Sequence, residues 1–96
     1  MFKELDPMLH SQLRLAIVSL LVSVKEAEFT YLKDETGASA GNISVQIQKL
    51  KEADYIDIEK KFKDNYPLTI CKITPKGVDA FEDYVKSLKQ YITAKK

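Results

Sequence analysis

The stretch that most constrains this chain is Leu13 to Val24, because it is apolar on two sides. At about 100° per residue, Leu13, Ile17, Leu20, Leu21 and Val24 fall on one side of a helix, and Leu15, Val18 and Val22 fall on the other. A helix with two apolar sides must be covered twice. The chain has 96 residues, close to the roughly 100 to 150 of one domain, so one cover is its own core. The other cover is a further helix or a second subunit. Arg14, Ser19 and Ser23 interrupt the run, which is also much shorter than the roughly 20 apolar residues of a membrane span, so no membrane role is expected.

Charge and cysteine content narrow the classes further. Fifteen Lys and Arg against 14 Asp and Glu give a net charge of +1, so any nucleic-acid function must come from local placement rather than a bulk basic surface. Cys71 is the only cysteine, which excludes an internal disulfide and fits a reducing compartment. Glu4 and Asp6 precede the apolar run where a secretory signal would carry Lys or Arg, so a cytoplasmic location is expected.

Asp6-Pro7 offers a helix start, giving a first helix over 7–24. Glu26 to Glu28 reads as a polar break. Thr30 then caps a short helix that Gly37 ends, and Ser39 caps a third running to about Ala53, with Ile43, Ile47 and Leu50 as its inward stripe. Two helices joined through Gly-Ala-Ser over 30–54 make a helix-turn-helix. Ile56 to Glu59 alternates as a strand does, Leu68 to Ile73 is rich in β-branched residues, and Lys63 to Pro67 supplies the turn of a hairpin over 55–73. Ile70, Cys71 and Ile73 leave its register open. Thr74-Pro75 opens a last helix over 75–92. The fold class is mainly α with a small β-hairpin, in a single domain over 1–96.

Four segments in this order carry a resemblance: His10 to Ile17 in the opening helix, Gly37-Ala38-Ser39 through Leu50, Lys51 to Ile56, and Ile73-Thr74-Pro75-Lys76-Gly77. Together they resemble winged-helix transcriptional regulators of the MarR-like and ArsR-like kind over almost the whole chain. The resemblance implies a winged helix-turn-helix with a C-terminal dimerisation helix, and double-stranded DNA as partner.

In a helix-turn-helix the second helix enters the major groove. With Ile43, Ile47 and Leu50 inward, the outward candidates are Ser39, Gly41, Asn42, Ser44, Val45, Gln46, Gln48 and Lys49. Amide side chains pair with adenine, and an apolar group touches the thymine methyl. Such polar residues are also what any surface helix shows. Lys60, Lys61 and Lys63 near the hairpin tip suit phosphate contact, although lysines on edge strands also discourage aggregation, and Asp57 and Glu59 oppose phosphate. Arg14, the only arginine, reads as a structural salt bridge or an N-terminal packing residue.

Val78, Phe81, Val85, Leu88 and Ile92 repeat at three and four, widened by Tyr84 and Tyr91. Tyr84, Val85, Leu88, Tyr91 and Ile92, with Leu15, Val18 and Val22, form the expected dimerisation face. His10 and Cys71 fall short of a zinc site, and no nucleophile, acid and base assemble, so neither a metal, another cofactor nor an enzyme is expected. A small-molecule effector of unidentified chemistry stays open. The alternative function is a winged-helix module that binds protein instead of DNA.

Overall fold

The computed structural model describes residues 2–93. Its elements follow in the order α1 (Gln12–Val24), β1 (Glu26–Glu28), α2 (Phe29–Thr36), α3 (Ala40–Glu52), β2 (Ile56–Lys63), β3 (Tyr66–Ile73) and α4 (Pro75–Thr93).

α1 starts five residues later than Pro7. The Asp6 carbonyl accepts from the Leu9 and His10 amides at 3.1 and 2.9 Å, and its carboxylate accepts from the Met8 amide at 2.9 Å. Those bonds close a separate turn. Ser11, in extended conformation at φ −150°, then caps α1, and Lys25 at φ 75° ends it.

The polar break is a strand, which the sequence reading missed. β1 pairs antiparallel with β3, setting Glu26 against Lys72, Ala27 against Cys71 and Glu28 against Ile70, so the sheet has three strands in the order β1-β3-β2. Three residues, two of them glutamates, give neither period nor propensity; the free edge of β3 supplies the order. With Glu28 extended, α2 begins at Phe29, and Thr30 lies inside the helix rather than capping it. Gly37 closes α2 in the left-handed region at φ 72°, and the Ser39 hydroxyl accepts from the Asn42 amide at 3.1 Å to open α3. Both expectations hold.

β2 and β3 pair over eight positions, a longer hairpin than the alternation of Ile56 to Glu59 indicates. Asp64 and Asn65 take φ of 51° and 68°, the two positive values that a tight two-residue hairpin turn requires. The register left open by the sequence is fixed with Ile58 against Cys71 and Ile56 against Ile73 on the core side. Ile70 and Lys72 consequently face outward with Glu59 and Asp57.

α1 lies at the centre, in contact with α2, α3, α4, β1 and β3. Its own Ile17, Val18 and Leu21 are fully buried, as are Leu9, Leu32, Ile43, Leu50 and Ile56 from the surrounding segments. Much of the second cover therefore comes from the chain itself. α4 is brought close by Gly77, where an added Cβ would stand 2.2 Å from the Tyr55 carbonyl oxygen. Tyr55 in turn donates its hydroxyl to Asp6, and burial followed by that bond raises its pKa to about 12.

Candidate nucleic-acid interface

α3 stands on the buried stripe Ile43, Ile47 and Leu50, as the spacing predicts. Ser39, Gly41, Asn42, Ser44, Gln48 and Lys49 are exposed around it, with Val45 at 52% the apolar member of the face. Gln46 differs from them. It is half-buried, and its carbonyl accepts from Arg14 Nη1 at 2.6 Å while its amide nitrogen donates to Asn42 Oδ1 at 3.2 Å. Arg14 also donates from Nε to the Met8 carbonyl at 2.7 Å and has no ion pair among the described residues. Its packing role on the N-terminal turn holds, and the expected salt bridge is absent there.

The three wing lysines divide between two faces because successive strand residues alternate. Lys60 follows Ile56 and Ile58 on the side of α3, where it joins Gln48, Ser44, Ile47, Phe29, Ile58 and Thr69 around a cleft of about 240 Å³. Lys61 and Lys63 share the outer face with Asp57 and Glu59. Lys61 Nζ lies 3.8 Å from Glu59, which is bound more closely by Lys72 at 2.7 Å. The Lys72 hydrogen bond holds the Glu59 carboxyl below its ordinary pKa, and the same bond raises Lys72. The acidic residues that oppose phosphate thus lie on the face away from α3.

Two residues at the end of the wing were missed by the sequence reading. Phe62 and Tyr66 are 79% and 73% exposed. The signal was available in Ile56, Ile58 and Phe62, which keep one parity along a longer β2.

The expected dimerisation face is divided as well. Val18 and Tyr84 are inside the chain's own core, where Tyr84 pairs its hydroxyl with His10 Nδ1 at 3.1 Å. Leu15, Val22 and Val85 are partly buried. Leu88, Tyr91 and Ile92 are open to solvent, and Phe2 stacks on Tyr91 with ring centroids 4.6 Å apart. Lys3 ties the same N-terminal segment to α4 through Asp83 and Gln90, each at 2.9 Å. Cys71 is buried in the sheet, and burial raises its thiol pKa to about 11, which leaves it protonated and inert at neutral pH. Among the described residues no group of three or more His, Cys, Asp or Glu is placed to hold a metal ion, and no helix is long and apolar enough to cross a membrane.

Known proteins match both the sequence and this geometry. A protein of Methanocaldococcus jannaschii without an assigned function is 33% identical over 81 residues, covering 84% of this chain and 88% of its own length. The structure of a transcriptional regulator homologue from Pyrococcus horikoshii superposes with a TM-score of 0.85 at 25% identity, over 91% of this chain and 86% of that one. MarR from Escherichia coli, solved in complex with operator DNA, shares the fold at a TM-score of 0.72 and 13% identity, over 82% of this chain and 56% of its own. A family model described as a winged helix DNA-binding domain matches residues 13–92, from the first turn of α1 to the end of α4. The chain belongs to the winged helix DNA-binding domain family.

Proposed function

We propose that the chain acts as one domain, a homodimeric transcriptional regulator that binds double-stranded DNA sequence-specifically and has no enzymatic role. The observation that carries this reading is the exposed amide-bearing face of α3, held on a buried stripe in a chain of a DNA-binding family. In this reading α3 lies in the major groove, with Asn42, Val45, Gln48 and Lys49 toward the bases. Lys60 reaches phosphate from the cleft side, and Lys61 and Lys63 add longer-range attraction from the outer face.

Leu88, Tyr91 and Ile92 support the dimer, since they extend the apolar seam of α4 beyond the core, and Phe2, stacked on Tyr91, adds to the same exposed patch. Two-fold symmetry sets the two reading helices about one helical turn of DNA, roughly 34 Å, apart. A cytoplasmic location and an effector of unidentified chemistry belong to the same reading through the resemblance to bacterial and archaeal regulators.

The test combines sedimentation with DNA binding. The native chain is expected to sediment as a dimer at tens of micromolar, an order-of-magnitude choice from affinity arithmetic. Leu88→Asp with Ile92→Asp should give monomers that bind DNA more weakly, because charges buried in an apolar interface are left unpaired. A native monomer would overturn the symmetric mechanism. The near-neutral charge favours the second reading, a protein-binding module, and failure to bind any duplex at low salt would select it.

A further inference from the structure

The single arginine of this chain is spent on the recognition helix from behind. Arg14 projects from α1 and reaches Gln46 of α3 at 2.6 Å, a contact between residues 32 apart in sequence. A guanidinium has five donors and no acceptor, so the Gln46 atom facing it must be the carbonyl oxygen. The amide nitrogen is thereby turned the other way, where it donates to Asn42 Oδ1 at 3.2 Å. That bond orients Asn42 in turn, with Nδ2 directed away from Gln46. Arg14 is itself fixed, because its Nε donates to the Met8 carbonyl at 2.7 Å and the Met8 amide is held by the Asp6 carboxylate at 2.9 Å. The bond to Gln46 is charge-assisted and partly buried, which makes it stronger than an amide pair on the surface.

We propose that Arg14 is a positioning residue that sets the hydrogen-bond polarity of the reading face, holding the Gln46 carbonyl inward so that Gln46 meets DNA only as a donor. The inference rests on the DNA-binding reading of α3. An adenine-type paired contact needs one donor and one acceptor from the same amide, and Gln46 has its acceptor engaged. The N–H that remains on Gln46 and the two on Asn42 Nδ2 match acceptor edges instead: purine N7, guanine O6 and thymine O4. Arg14 would then discriminate between bases without touching one, and without touching phosphate.

The experiment uses the full chain in three measurements. Side-chain amide resonances of Gln46 and Asn42 are recorded without DNA in the native chain and in Arg14→Met; bound duplexes are selected from random DNA; and affinity is titrated against salt. Arg14→Met is expected to move both amide resonances, to reduce discrimination at one base pair per half-site by about fivefold to tenfold, and to leave the salt slope unchanged. Should Arg14→Met not fold, Gln46→Glu keeps the partner of Arg14 while replacing the outward amide donor with an acceptor. Preference at that same position should then pass to the amino edges of cytosine or adenine. An unaltered sequence profile in both variants overturns the inference while the native chain still binds. A salt slope that falls by about 0.9 in Arg14→Met overturns it too, because Arg14 would then be a phosphate contact. A native chain that enriches no duplex overturns the DNA reading and this inference together, whatever the amide resonances show.

Discussion

α3 and the wing meet around one cleft, yet they are held in different ways. Every turn of α3 is anchored by a fully or nearly buried residue, its start is capped by Ser39, and two of its outward amides are bonded to each other and to Arg14. The outer half of the hairpin is held mainly by its ladder and its turn, with Phe62 and Tyr66 largely in solvent. A preorganised face suits discrimination, since its polar groups need no reordering on contact. A lightly held arm bearing lysines suits sequence-independent affinity. The proposed division of labour can be broken at either side.

Stability separates the two regions most strongly. Leu50→Ala should cost about 2 to 5 kcal/mol, because it empties a fully buried site under α3. Phe62→Ala should stay within about 0.5 kcal/mol. Denaturant titration of both variants reads the contrast, and comparable losses would mean that the wing tip is packed. Next comes the wing's contribution to binding. Changing Lys60, Lys61 and Lys63 to Ala should weaken binding to all sequences alike and lower the salt slope by up to about 0.9 per lysine lost from phosphate. Lys60→Ala alone should account for most of that change, since Lys60 lies on the side of α3 and Lys61 is beside Glu59. Equal effects from the three single variants would remove the distinction between the faces.

Gln48→Ala tests the reading helix in the opposite sense. Preference should relax by about 1 to 3 kcal/mol at one or two base pairs of each half-site, with the salt slope preserved. A separate effect, on stability at high pH, comes from Cys71 at the buried base of the hairpin and from Tyr55 just before it. Cys71 and Tyr55 have folded pKa values raised from 9.0 to about 11 and from 10.0 to about 12. Each favours the folded chain fully below its unfolded pKa, and that advantage is lost as pH rises through the folded value. Stability should therefore fall from about pH 9 to pH 12. Tyr55→Phe should remove the upper part of this fall, as measured by thermal unfolding across that range.

The order of elements was legible because each major one carries a local signal: the Ile43, Ile47 and Leu50 spacing, Gly37 with Ser39 at the turn, and Thr74-Pro75 before α4. What was not legible depends on partners distant in sequence. β1 exists only as an edge to β3, which no property of Glu26 to Glu28 reveals. The delayed start of α1 comes from Asp6 closing its own turn, a local competitor to the helix. The candidate site was legible as a helix face, but not the contacts that single side chains make with other elements. Gln46 has the outward sequence position of a reader, but Arg14 reaches it from another helix. Val18 lies on the expected subunit-facing side, but so many elements surround α1 that it is covered within the chain.

As proposed, α3 reads base sequence as one half of a symmetric pair, and the decisive experiment is selection of bound duplexes from random DNA by the native chain. The expected result is enrichment of a two-fold symmetric site whose half-sites lie about one helical turn apart. Its half-sites should be rich in A·T pairs, because Gln48 and Val45 supply amide and apolar contacts and no arginine is directed to guanine. Enrichment of a G·C-dominated or asymmetric site, or of no sequence at all, would contradict it.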